Sequence, residues 1–304
     1  MKFDLAAFKN LKSLQIDGIS VNNITHMGPI RQTLNQLAWY NTECKQINEF
    51  LLCDCIHKTD TRLDQVWSEL ETINLSSNKL TDIDSSIKLA PKLKSLMLDN
   101  NHITAIRNLS TMTFLQSLSL CENFISECPD CHLELGGNLV QLNLSQNQIR
   151  SLKGFRKMYS LVKLDLSCNA VDSIDEVDWV AELPSLEEIV LTGNPIAGTV
   201  DYRSRVLARF GSERCHDIYL DNEKANAQEI DTALVLAAFK QSQTFSTELL
   251  QQSLTSISSG SCNSTGHKRN NIANGEVDHS ADGDCSVEEA VDSSGLIPKD
   301  NIPS

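Results

Sequence analysis

The chain has 304 residues, of which 40% are hydrophobic, enough to fold most of its length, and its 40 acidic against 26 basic residues leave a net charge of −14. That charge repels phosphate backbones and anionic lipid, which argues against nucleic acid or a bare membrane surface as the main partner. Met1 to Asn10 offers no unbroken apolar run of the secretory kind, and the stretch Leu234 to Phe239 is too short to span a bilayer, so the ten dispersed cysteines read as reduced thiols of a cytoplasmic protein.

In chain order, the first signals are two degenerate units, LKSLQIDGI (Leu11, Leu14, Ile16, Ile19) and LNQLAWY (Leu34, Leu37, Trp39). An insertion follows with helical periodicity at Ile47, Phe50, Leu51 and Ile56, and then a polar stretch, His57 to Asp64, expected to be flexible. Residues 1–69 thus form a front segment. From 70 to 197 the pattern LxxLxLxxNxI recurs six times, with its asparagine at Asn78, Asn101, Asn123, Asn147, Asn169 and Asn194. The intervals of 23, 22, 24, 22 and 25 residues mark a repeat architecture rather than an accident of composition.

The text LVQLNLSQNQIRSL shows how one unit works. Leu139, Leu142, Leu144, Ile149 and Leu152 turn inward, and alternation along a short strand sends Gln141, Asn143 and Ser145 outward. The asparagine follows the strand, where its amide can satisfy backbone groups that a buried turn would leave unpaired. Six such units predict an α/β leucine-rich-repeat solenoid, with parallel strands on the concave face and helical or irregular segments on the convex side. Asp201, Tyr202 and Arg203, followed by Val206, Leu207 and Phe210, predict an amphipathic cap helix; Asp217 to Asp221 predicts a closing strand and Gln228 to Gln241 a further helix. This cap occupies 198–243. Residues 244–304 turn to Ser, Asn, Gly and Asp and read as a disordered acidic tail. Within that tail Phe245, Leu249, Leu250, Leu254 and Ile257 are spaced along one helical face, which reads as an extension or frayed end of the capping helix, with a partner-docking helix as the alternative.

A wall of outward strand residues has recognition to offer. Its larger side chains, Met97, Asp99, Glu122, Asp165 and Glu188, with Tyr40 near the front, are the expected partner-binding residues. No catalytic residues, metal or cofactor are expected, and the chain does not read as an enzyme. The seven histidines are dispersed, Cys128 and Cys131 read as core or loop residues, and Asp172, Asp175, Glu176 and Asp178 read as a solvated convex face without calcium-loop spacing.

The stretch SLVKLDLSCNAVDSIDEVDWVAELPSLEEIVLTGNPIAGTVDYRSRVLARFGSERCHDIYLDN, continuing through EIDTALVLAAFKQ, resembles the nischarin family (imidazoline-receptor candidates), as do FDLAAFKNLKSL and ETINLSSNKLTDIDSSIKLAPKL. The resemblance covers roughly Phe3 to Gln241 and implies a cytoplasmic, endosome-associated scaffold. Its implied partners are small GTPases of the Rac and Rab type, p21-activated kinase and an integrin α-subunit tail, and its implied role is restraint of cell migration. The phox-homology domain of that family has no counterpart before Leu11, so the chain is expected to be a fragment or short form. The alternative is a leucine-rich-repeat regulatory subunit of a phosphatase or kinase, such as a kinase-binding scaffold.

Overall fold

The computed structural model describes residues 2–53, 65–135 and 137–242. The chain begins with β1 (Phe3–Asp4), β2 (Ser13–Asp17) and β3 (Ile24–Thr25), β1 and β3 forming a small parallel sheet. Then come β4 (Gln36–Tyr40), helix α1 (Ile47–Leu51), β5 (Thr72–Asn74), β6 (Ser95–Met97) and β7 (Ser117–Ser119). Helix α2 (Cys131–Glu134), β8 (Gln141–Asn143), β9 (Lys163–Asp165), α3 (Asp178–Ala181) and β10 (Glu188–Val190) complete the repeats. The end is built from α4 (Tyr202–Arg209), α5 (Gly211–Arg214), the hairpin β11 (Tyr219–Leu220) and β12 (Glu223–Lys224), and a helix over 227–242.

Ten of these strands form one sheet in the order β12-β11-β10-β9-β8-β7-β6-β5-β4-β2. All pairings are parallel except the closing hairpin. The register places Ile73, Leu96, Leu118, Leu142, Leu164 and Ile189 opposite one another in a single row. Two residues further on, Leu75, Leu98, Leu120, Leu144, Leu166 and Leu191 are all fully buried. Each such leucine contributes about 1.5–3 kcal/mol by leaving water, so the stacked rows dominate the stability of the arc.

A repeat of this length has few residues left for its outer side once strand and turn are built. Short 3-10 turns at Ser85–Leu89, Lys153–Phe155 and Ile174–Val177 fill much of it, since 3-10 geometry covers more length per residue than an α-helix. Two of them are capped locally: the side chains of Asp84 and Ser173 accept from the N–H groups of Ser86 and Asp175.

The insertion contributes α1, whose start carries a reciprocal cap in which the Glu49 carboxylate accepts from the Gln46 N–H at 3.0 Å. Ile47, Phe50 and Leu51 are fully buried, and the Phe50 ring meets Trp39 edge-on with centroids 5.5 Å apart. Ile56 and the stretch His57 to Asp64 lie outside the described residues, as do the residue pattern from Phe245 to Ile257 and the tail. One inward expectation fails at the front: Ile19, which stands past β2, the edge strand of the sheet among the described residues, is 36% exposed, and its carbonyl accepts from Trp39 Nε1 at 2.9 Å.

The chain turns off each repeat strand in the same way. The residue just before each ladder asparagine has a left-handed backbone: Ser77, Asn100, Glu122, Gln146 and Cys168 with φ between 52° and 57°, and Gly193 at 75°. Gly18 and Asn41 hold the same conformation in the front units. For side-chain-bearing residues this conformation is uncommon and costs about 1–2 kcal/mol, so the stacked contacts on either side must impose it.

Candidate functional site: a concave trough held by an asparagine ladder

The six asparagines are buried at the edge of the sheet. Each Nδ2 donates to a carbonyl of the preceding repeat and to one of its own. Asn147, for example, reaches Leu120 at 2.9 Å, Leu144 at 3.0 Å and Ser145 at 3.1 Å, while its Oδ1 accepts from Ile125 N–H at 2.9 Å. Asn101, Asn123, Asn169 and Asn194 take the N–H of Leu80, Ile103, Ile149 and Val171 in the same way. Asn78 closes the row on a residue the repeat pattern does not flag: Thr42, buried, donates both its N–H and its hydroxyl to Asn78 Oδ1, at 2.9 and 2.6 Å.

This frame holds the strand faces at fixed spacing. On the concave side they form a trough of about 420 Å³ that brings together Met97, Asp99, Asp165 and Glu188, four of the six residues expected to bind a partner. Tyr40, half-buried on β4, does not line it. Nor does Glu122, which is exposed at a left-handed turn rather than on a strand. Ser145, read as outward, is buried, and so is Val190 at the end of β10. Ser145 folds its hydroxyl onto Asn143 Oδ1 at 2.7 Å, and Val190 supplies part of the trough's apolar lining with Leu142 and Leu164. Asn222, from the closing hairpin, also reaches the trough; its left-handed backbone at φ 65° is a tertiary consequence of the cap and has no repeat signal.

The acidic groups of the trough are held in place. Asp99 accepts from the Ser119 hydroxyl and from Cys121 N–H at 2.8 Å; Asp165 accepts from the N–H and hydroxyl of Ser167 at 2.9 and 2.7 Å. These bonds fix both carboxylates in orientation. Glu188 bridges to Lys163 on the adjacent strand at 2.7 Å, and that hydrogen bond and charge push the lysine amine above its ordinary value. The result is a pre-ordered, hydrogen-bonding surface with a small apolar floor, broad and shallow as protein interfaces are.

The cap residues sit at the far end of the sheet. Asp201 has a left-handed backbone ahead of α4, and Tyr202 is buried, with burial and the charge of Asp221 pushing its phenol well up. Arg203 ties α4 to Leu220 O at 2.8 Å and to Glu229 of the last helix at 2.7 Å. Burial alone would raise the Glu229 carboxyl, but the Asn226 N–H and Arg203 outweigh it and hold the group below its ordinary range. Part of the acidic cluster proves to be structural rather than merely solvated: Asp175 and Asp178 receive Arg209 at 2.8 and 2.7 Å, and Asp178 also receives Lys240 at 2.6 Å, fastening the cap to the last repeat. Cys128 and Cys131 are buried, and the hydrogen bond between them, together with burial, pushes the Cys131 thiol far above its ordinary value, which keeps it protonated. Among the described residues no group of three or more His, Cys, Asp or Glu is placed to hold a metal ion, and no helix is long and apolar enough to cross a membrane.

Parallel strands in register, stacked leucines and an asparagine ladder together define a leucine-rich-repeat solenoid, a fold that typically serves as a non-enzymatic interaction scaffold. The protein is a leucine-rich-repeat protein: the leucine-rich-repeat models match residues 138–196 and, as two copies, residues 68–111. Among relatives, it is 25% identical over 225 residues to the serine/threonine-protein kinase 11-interacting protein of Gallus gallus, covering 73% of this chain and 21% of that protein. It is 27% identical over 253 residues to leucine-rich repeat-containing protein 23 of Bos taurus, covering 75% and 69%. Over 138 residues it is 32% identical to a protein phosphatase 1 regulatory inhibitor subunit homologue of Arabidopsis thaliana, covering 43% and 41%. The chain therefore spans only about a fifth of the kinase-interacting relative. Among solved structures, an internalin of Listeria monocytogenes superposes with a TM-score of 0.51 at 20% identity, covering 73% of this chain and 64% of that one. A leucine-rich-repeat protein of Leptospira interrogans does so at 0.52 and 21%, covering 74% and 53%.

Proposed function

We propose that the chain is a non-catalytic scaffold that holds a folded signalling protein on its concave trough, with a cytoplasmic, endosome-associated role like that of the nischarin family. The observation that carries this reading is the convergence of Met97, Asp99, Asp165 and Glu188 on one pre-ordered surface. A polar, shallow wall of this kind suits a protein surface, whereas small molecules are favoured by deeper and more apolar pockets. Small GTPases of the Rac and Rab type are the first candidates, with p21-activated kinase and an integrin α-subunit tail beside them, on the sequence resemblance. The second reading, a regulatory subunit of a phosphatase or kinase, is favoured by two relatives, a kinase 11-interacting protein and a phosphatase 1 regulatory inhibitor subunit homologue.

Met97→Arg places a charged, longer side chain at the trough without removing any ladder contact. Binding of the full chain to Rac loaded with non-hydrolysable GTP, to p21-activated kinase and to a phosphatase catalytic subunit would be measured on a biosensor. The first reading expects nucleotide-dependent GTPase binding that Met97→Arg weakens about tenfold or more, as for a central interface residue. Tight binding of the phosphatase alone favours the second reading, and binding indifferent to Met97→Arg removes the trough from either.

A further inference from the structure

A second cavity, about 830 Å³, opens at the edge of the solenoid where the chain leaves the concave face, between the loop at 126–130 and the segment 147–156. Three cations line it: Arg150, Lys153 and Arg156. Lys153 opens the 3-10 turn Lys153–Phe155 and Arg156 caps it, which puts these two on one face, and Arg150 joins them from the segment that precedes the turn. Some cations elsewhere are closely paired with acids, as are Lys92 with Glu69 and Lys94 with Glu71, both at 2.8 Å. Here the pairing is incomplete. Arg150 has no hydrogen bond or ion pair among the described residues, and Lys153 rests over the Trp179 ring at 5.6 Å. Arg156 approaches Asp130 only to 3.6 Å, and its Nε is buried with no acceptor.

A buried donor without a partner is costly, and two guanidinium groups facing one cavity offer the planar forks that suit phosphate oxygens. Glu127 and Asp130 also line the cavity, so it carries a small positive excess in a chain of net charge −14. That overall charge opposes approach to an anionic bilayer, while a single phosphorylated segment can enter the cavity locally. The volume is of ligand-pocket size, with room for the residues that flank a phosphate as well as the phosphate itself. We propose that this edge cavity binds a phosphorylated segment of a partner protein, its phosphoryl oxygens lying between Arg150 and Arg156.

The test is fluorescence polarisation with the full chain. The probe is a labelled Gly/Ser peptide of about ten residues carrying two phosphoserines, compared with its unphosphorylated twin. Phosphorylated peptide is expected to bind at least about tenfold more tightly than the twin, to lose about tenfold or more in R150Q/K153Q, whose side chains are exposed, and to be unaffected by Met97→Arg. R156Q, made separately with its unfolding midpoint, should weaken binding in the same direction. The proposal is overturned by equal affinity for both peptides, by binding that survives R150Q/K153Q, or by binding confined to vesicles containing phosphatidylinositol phosphates.

Discussion

Leu144→Ala is expected to destabilise the protein by about 2–5 kcal/mol, read as a lower urea midpoint with the fold retained. Leu144 is fully buried in the leucine row between Leu120 and Leu166. Truncation leaves its backbone bonds intact: its N–H still donates to Asp165 O at 2.8 Å, and its carbonyl still accepts from Asn147 and Asn169. Because those bonds hold the repeat spacing fixed, the neighbours cannot close over the space left behind. The loss should therefore fall toward the upper part of the range, where cavities persist. Leu14→Ala, in the half-buried end strand β2, should cost distinctly less. Equal midpoints for the two variants would mean that the leucines do not stack as a rigid row.

Gly154→Ala is expected to be comparably damaging for a different reason. A Cβ at this position would overlap Cys128 O and lie 2.7 Å from Cys128 C, both backbone atoms that no rotamer change can move aside. Either the loop at 126–130 must shift or the 3-10 turn must unwind, at a cost of about 3 kcal/mol, the upper end of what overpacking usually extracts. Gly137→Ala is the control, since nothing lies within 4 Å of its added carbon. Matching urea midpoints for Gly154→Ala and Gly137→Ala would show that the two segments do not touch.

The repeat core is readable in the sequence because its two constraints are periodic. A leucine that must face inward and an amide that must meet the backbone recur at nearly fixed intervals, and their buried positions follow. The turn before each amide is not readable in the same way. Ser77, Asn100, Glu122, Gln146, Cys168 and Gly193 adopt one left-handed conformation with five different side-chain-bearing residues, since stacking rather than residue preference selects it. That is why Glu122 looks like part of a strand face and is instead a turn residue. Thr42 is hidden for a related reason: its hydroxyl and N–H meet Asn78 without resembling the asparagine text.

The candidate trough was legible where alternation alone decides exposure, as at Met97 and Asp165. It was not legible where a neighbour decides. Ser145 turns back onto Asn143, Val190 is buried in the trough lining, and Asn222 arrives from a hairpin more than thirty residues beyond β10's start. The edge cavity depends on Gly154 meeting Cys128 across 26 residues of chain, a contact that no local spacing announces.

Residue-resolved amide exchange at Ile125 tests the ladder most directly. Its N–H has the carboxamide of Asn147 as acceptor at 2.9 Å, whereas the carbonyls that Asn147 binds keep second donors: Leu120 from Asn123, Leu144 from Asn169 and Ser145 from Glu122 N–H. Asn147→Ala should thus orphan one buried N–H, lower stability by about 1–3 kcal/mol, and speed exchange most at Ile125, with Ile103 and Ile149 retaining more protection on their own asparagines. Rapid exchange at Ile125 in the unmutated chain, or protection there that Asn147→Ala leaves unchanged, would contradict a solenoid pinned by its asparagines.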